Sequence, residues 1–128
     1  MQHFFVYGTL KSDQCRASCW PAHPLAISPA TMTGALYDLG PYPAMTAGRG
    51  RVAGECWSIA DADVAAVLDA LDAIEGYSGD ADYDLYTRVR ESCQTEDGRT
   101  LTCWTYFYNR DVSDLAPRAG PIARWPCT

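Results

Sequence analysis

A small α+β fold, with one helix set among short strands, is what this sequence predicts, and three observations carry it. Residues 61–75 hold apolar side chains at helical spacing, with a glycine stop just beyond them. Five strand-like runs flank that helix, and the last two are joined by Glu96-Asp-Gly98, a hairpin signal. Gly34 and Gly54 lie inside strand patterns, where interior glycines mark bends or close approaches such as the corners of a small barrel. With 128 residues, 48% of them hydrophobic and 20% charged, residues 1–128 are expected to form a single domain with its own core.

In chain order, His3-Phe-Phe-Val-Tyr7 reads as a buried first strand. Gly8 at its end would let the N–H groups of Gly8, Thr9 and Leu10 turn towards a ligand, or would simply close the strand. Residues 11–29 read as irregular, punctuated by Pro21, Pro24 and Pro29. Ala30–Leu39 and Arg51–Ile59 read as strands, separated by the Gly40-Pro41-Tyr42-Pro43 break. Ser78–Asp84 reads as an acidic, solvated loop. Leu85–Ser92 and Thr100–Tyr108 form the hairpin, with Tyr86 and Arg88 on one face of its first strand. Asn109–Thr128 reads as a mostly irregular tail.

The helix carries the sharpest chemical signal. Asp61 is its expected N-cap and Gly76 its left-handed stop. At about 100° per residue, Val64, Val67, Leu68, Leu71 and Ile74 fall in a sector about 120° wide, and Glu75 lands within about 40° of its centre. A carboxylate is thus aimed at the core from the end of a helix whose dipole disfavours negative charge. Both effects raise its pKa and suit it to proton transfer, unless the last turn frays and releases it to solvent.

Other classes are excluded by composition. A formal net charge of −6 and the lack of a Lys/Arg cluster argue against nucleic acid as a partner. No apolar run approaches the roughly 20 residues that a membrane span needs, and Met1–Gly8 has no basic start or cleavage site of a signal peptide. Six cysteines without a secretion signal read as reduced thiols in a cytoplasmic protein. Cys15, Cys19 and His23 are interrupted by Pro21 and Pro24 and lack a fourth ligand. Asp80, Asp82, Asp84 and Glu91 mimic a calcium loop, but Leu85 stands where that loop needs glycine. No metal and no cofactor are expected.

Taken together, Tyr7-Gly8-Thr9-Leu10, Tyr42-Pro43, Val52-Ala-Gly54-Glu55, Leu71-Asp72-Ala-Ile-Glu75-Gly76-Tyr77 and Tyr86-Thr-Arg88 resemble, in order and over nearly the whole chain, the γ-glutamylcyclotransferase-like family. The hairpin ending Trp104-Thr-Tyr-Phe-Tyr108 and the late Ile122 and Trp125 fit the same pattern. Glu91 and Ser92 depart from it, being polar in a strand that is otherwise apolar in the family. The resemblance implies a small mixed, mostly antiparallel barrel-like sheet with a packed helix and a pocket at the barrel mouth. It implies a reaction in which the α-amine of a γ-glutamyl substrate attacks its own γ-carbonyl, releasing 5-oxoproline and an amine or amino acid.

By the same resemblance Glu75 is the catalytic acid/base and Tyr7, Gly8, Thr9 and Leu10 form the substrate loop. Tyr86 is the pocket tyrosine, with Tyr83 as the other possible register. One carboxylate of raised pKa can both relieve the attacking ammonium of a proton and supply one to the leaving nitrogen, without metal or nucleotide. Loop N–H groups suit the α-carboxylate or the developing oxyanion. Tyr86 would pack on the substrate stem, donate its hydroxyl, or only fill the sheet. Arg88 would clamp a carboxylate or serve as a structural ion pair.

The competing reading is a non-catalytic module that binds a small molecule on the same fold; a costly buried Glu75 favours the enzyme. A Cys–His nucleophile enzyme is disfavoured, since the chain has two histidines, neither in a recognisable context. The leaving group and the oligomeric state stay open.

Overall fold

The computed structural model of the protein describes residues 1–118 and 122–125. Five strands, β1 (Gln2–Val6), β2 (Ala26–Asp38), β3 (Pro43–Ile59), β4 (Tyr86–Thr95) and β5 (Thr100–Tyr108), close into a barrel in the order β1-β3-β2-β4-β5. Between these five strands every pairing is antiparallel except that of β1 with β5, where His3 faces Cys103 and Phe4 faces Trp104 in parallel register. Among the described residues the one α-helix, α1 (Val64–Glu75), follows a 3-10 turn at Asp61–Asp63. The fold is the mixed, mostly antiparallel barrel with a packed helix that the resemblance implies. Among the described residues no helix is long and apolar enough to cross a membrane.

Alternation along β1 divides the core in two. Phe5 points into the barrel with Met32, Leu36, Met45, Val52 and Cys56. Phe4 and Val6 point out beneath the helix, where Trp57 and Ile59 meet Val64, Val67 and Leu71. Val67 and Leu71 are fully buried, and such side chains contribute about 1.5–3 kcal/mol each. That layer fixes the axis of α1 and hence the position of its last residue.

Several elements depart from expectation. β2 begins at Ala26, inside the stretch read as irregular. Pro29 is tolerated there because its carbonyl accepts from the N–H of Glu96, so its N–H-less side faces away from β3. β3 begins at Pro43 rather than Arg51, and its first part pairs with β2 from Asp38 back to Ala35. The register then breaks between Thr33 and Ala35, since Thr33 opposes Arg51 while Ala35 opposes Thr46. Gly34 accommodates the break: a Cβ there would lie 2.9 Å from the Thr46 carbonyl oxygen. Gly54 marks a closer approach still, since a Cβ there would run into the Val6 carbonyl oxygen and the Phe5 ring.

Asp61 is not the N-cap. Its carboxylate pairs with the Met1 ammonium, and Asp63 takes the cap position without a side-chain hydrogen bond. Nor is the 78–84 loop wholly solvated. Asp84 is 2% exposed and accepts from the Ser78 N–H (2.8 Å), the Ser78 hydroxyl (2.7 Å) and the Gly79 N–H (2.9 Å). Burial works against its charge, but the donors from Ser78 and Gly79 outweigh it and hold the carboxyl below its ordinary pKa.

Cys15, Cys19, Cys56, Cys93 and Cys103 are free thiols. Cys127, and the tail at 119–121 and 126–128, lie outside the described residues. In the described part of the tail, Ala123 exchanges hydrogen bonds with Ala53 and Arg51, extending the sheet beside β3.

Candidate active site

A cavity of about 220 Å³ opens where the end of α1 meets the loop after β1 and the first residues of β3 and β4. All six residues singled out from the sequence, Tyr7, Gly8, Thr9, Leu10, Glu75 and Tyr86, line it. So do Arg16, Tyr42, Pro43 and Tyr106, to which the sequence reading gave no role. Arg88 does not line the cavity, and Tyr83 is 77% exposed outside it, which leaves Tyr86 as the cavity tyrosine of the two.

Glu75 is the last residue of α1, and the turn that holds it does not fray. Gly76 adopts φ 70°, its N–H returns to the Asp72 carbonyl, and the Tyr77 N–H meets the same carbonyl at 2.9 Å. Burial pushes the Glu75 pKa up to about 7, against a partial downward pull from the Arg16 guanidinium. Among the described residues no group hydrogen-bonds its carboxyl, so its oxygens are available to a ligand.

The loop after β1 uses its carbonyls and leaves its donors free. The Gly8 carbonyl accepts from Lys11 N–H (3.1 Å), that of Thr9 from Arg16 N–H (2.8 Å), and that of Leu10 from Trp20 Nε1–H (3.0 Å). Among the described residues, the N–H groups of Gly8, Thr9 and Leu10 meet no acceptor in the protein. Gly8, Thr9 and Leu10, with these uncommitted N–H groups, line the cavity together with a carboxyl of raised pKa, a set that suits a ligand carrying both an anionic and a protic nitrogen group.

Gly8 is glycine for a reason of packing. Its φ is not positive, but a Cβ there would lie 2.8 Å from Pro43 Cγ and 2.9 Å from Pro43 Cδ. The Pro43 carbonyl in turn accepts from the Tyr86 hydroxyl at 2.8 Å. With that hydroxyl committed, Tyr86 offers the cavity its ring, which is braced edge-on by Tyr42 and Tyr108. Tyr7 is similarly committed: its hydroxyl donates to the Tyr106 carbonyl at 2.6 Å, and burial, then the nearby Glu75, pushes its pKa well up.

Arg88 takes the structural role of the two considered for it. Its guanidinium meets Asp72 Oδ2 at 2.5 Å, between the rings of Tyr77 (5.2 Å) and Trp104 (5.0 Å). Asp72 Oδ1 accepts from the Tyr106 hydroxyl at 2.6 Å. One carboxylate, a turn before Glu75, thereby ties the end of α1 to both strands of the hairpin. Tyr106 was findable from alternation, since Trp104, Tyr106 and Tyr108 share the β5 face beneath the helix. Arg16 carries no such signal, because it belongs to an irregular segment whose path depends on the whole fold.

The family model for gamma-glutamyl cyclotransferase, AIG2-like, matches residues 4–125. The chain is 34% identical over 114 residues to gamma-L-glutamyl-butirosin B gamma-glutamyl cyclotransferase of Niallia circulans, spanning 87% of this chain and 69% of that protein. It is 33% identical over 112 residues to the gamma-glutamylcyclotransferase family protein ytfP of Citrobacter rodentium, spanning 87% and 85%. Among solved structures, an AIG2-like protein from Mus musculus superposes with a TM-score of 0.71 at 24% identity, covering 92% of this chain and 86% of that one, a likeness of fold alone. Protein ytfP from Escherichia coli superposes with a TM-score of 0.54 at 28% identity, covering 98% and 96%. Barrel, cavity and matched sequence agree: the chain belongs to the gamma-glutamyl cyclotransferase, AIG2-like, family.

Proposed function

We propose that this protein cleaves γ-glutamyl amides by intramolecular cyclisation, with Glu75 as its acid/base. The substrate α-amine attacks its own γ-carbonyl carbon, and the new C–N bond closes a five-membered lactam. The tetrahedral centre then collapses, the original amide C–N bond breaks, and 5-oxoproline and a free amine leave. Glu75 relays to the departing nitrogen the two protons that the α-ammonium sheds on becoming a lactam N–H, one before and one after attack, and the amine leaves as an ammonium, so neither water nor a net proton is consumed. The N–H groups of Gly8, Thr9 and Leu10 hold the α-carboxylate or the oxyanion, and the Tyr86 ring packs on the methylene stem.

The observation that carries this reading is the Glu75 carboxyl, raised to about 7 by burial and without a hydrogen-bond partner among the described residues, in the wall of the cavity. A carboxyl kept only for structure would be satisfied by neighbouring donors, as Asp84 is. The name of the Niallia circulans relative supports the γ-glutamyl amide as the bond at risk.

The test is to incubate the purified protein with a panel of γ-glutamyl amines and γ-glutamyl dipeptides and to measure 5-oxoproline. Stoichiometric 5-oxoproline and amine from at least one compound is the expected result. Release of free glutamate instead, or no reaction across the panel, would contradict the proposal.

A further inference from the structure

Two charged side chains line the described cavity: Glu75 and Arg16. Arg16 is held by its backbone, whose N–H donates to the Thr9 carbonyl at 2.8 Å, and it precedes the 3-10 turn at Ala17–Cys19. Its guanidinium, by contrast, has no hydrogen bond or ion pair among the described residues, in a chain whose Arg88, Arg99 and Arg118 all pair with aspartates. The side chain is exposed, so it stands at the rim of the cavity rather than at its floor. It is nevertheless near enough to Glu75 and Tyr86 to draw down the pKa of each against the larger upward push of burial.

Resting on the cyclisation reading above, we propose that Arg16 is a specificity-determining residue that receives a carboxylate on the leaving group, so that γ-glutamyl dipeptides are preferred over γ-glutamyl amines. In the cyclising pose the α-amine lies at Glu75 and the α-carboxylate has the free N–H groups of Gly8, Thr9 and Leu10. What projects to the rim is the group on the far side of the scissile nitrogen, and there it meets a guanidinium. A guanidinium pairs a carboxylate through charge-assisted hydrogen bonds and repels an ammonium, so cationic amines are disfavoured as leaving groups. Arg16 also limits the rise of the Glu75 pKa, so one cation serves both recognition and proton transfer.

Two compounds that differ only by the carboxylate isolate the effect: γ-glutamylalanine and γ-glutamylethylamide. Release of 5-oxoproline from each is measured for wild type, Arg16→Gln and Arg16→Lys. Binding of each is measured by calorimetry with and without Arg16→Gln in a Glu75→Gln background, which stops turnover. Wild type is expected to favour the dipeptide by about tenfold in kcat/KM, the scale of one charge-assisted contact. Arg16→Gln brings that ratio to within about twofold of unity, and Arg16→Lys restores part of it. A ratio that survives Arg16→Gln, or a loss shared equally by both compounds, overturns the proposal; equal loss would place Arg16 on the glutamyl head or in the fold of its loop. If wild type turns over neither compound, the cyclisation reading fails on its own, and calorimetry still decides Arg16. A binding preference for the dipeptide that vanishes with the guanidinium supports the site, and no such preference overturns it.

Discussion

The Tyr86 hydroxyl donates to the buried Pro43 carbonyl at 2.8 Å, joining the first residue of β4 to the first residue of β3 across the wall of the cavity. Tyr86→Phe keeps the ring and strands that carbonyl, at a cost of about 1–2 kcal/mol in stability. Denaturant unfolding should show this loss while kcat/KM stays within about threefold of wild type. A hundredfold fall in kcat/KM at unchanged stability would instead mean that the hydroxyl leaves Pro43 to act on substrate.

Gly8 and Pro43 are in direct contact, so Gly8→Ala forces a methyl group into the proline ring. Overpacking of this kind costs about 1–3 kcal/mol, and because the shift passes from Pro43 to Tyr86 it should lower activity as well. Pro43→Ala removes the atoms that the new Cβ meets. The double variant should therefore be more stable than the sum of the two single losses implies, which thermal unfolding of the four proteins measures. Strict additivity would show that the two residues do not press on each other.

Asp72 links α1 to Arg88 and Tyr106, and both sides of the ion pair are largely shielded, at 20% and 23% exposure. Asp72→Ala leaves a half-buried guanidinium and a tyrosine hydroxyl without partners, a loss of about 2–3 kcal/mol. Because Asp72 holds the turn that carries Glu75, kcat should fall too, with partial recovery in Asp72→Asn, which still accepts from Tyr106. A melting temperature unchanged in Asp72→Ala would remove this clamp from the account.

Much of this was legible in the sequence. β5 spans the residues read as a strand, Thr100–Tyr108, and α1 ends at the glycine expected to stop it, because local patterns of period 2 and 3.6 decide both. Helical phase alone aimed Glu75 inward, whereas Tyr7, Gly8, Thr9, Leu10 and Tyr86 were singled out by the resemblance to the family, and all six line the cavity. The first part of β3, Pro-Ala-Met-Thr-Ala-Gly-Arg-Gly, has little strand propensity of its own and pairs because β2 lies beside it. The sandwich of Arg88 between Tyr77 and Trp104 and the place of Arg16 depend on residues distant in the chain, and the hold of Asp84 on Ser78 and Gly79 follows neither a strand nor a helix period. No local pattern encodes them.

Stability should depend on pH through Glu75. Its ordinary pKa of 4.5 rises to about 7 in the folded protein, so the native state holds the proton more tightly. Below about pH 4.5 the carboxyl is protonated in both states and imposes no penalty. Between about 4.5 and 7 the unfolded chain ionises while the native carboxyl does not, and stability falls as pH rises. Above about pH 7 the loss is complete, on the order of 3 kcal/mol. Around it, Tyr7, Tyr86 and Tyr106 stay neutral because burial raises all three, and the Arg16 guanidinium is the facing cation. Glu75→Gln should thus melt above wild type at pH 8, with the gap closing towards pH 4.5. A variant less stable at pH 8, with its deficit closing in acid, would mark Glu75 as a paired structural anion.

The central claim is that Glu75 moves the proton, and the most direct measurement is 5-oxoproline release by Glu75→Gln and wild type on the same γ-glutamyl substrate, across pH 5–9. Gln preserves the shape and cannot exchange a proton, a role worth on the order of 10²–10⁴ in rate. The account predicts a loss of that size in kcat, binding within about tenfold of wild type, and a wild-type acidic limb near pH 7 that is absent from any residual activity of the variant. Turnover by Glu75→Gln at the wild-type rate, with the same acidic limb, would contradict it.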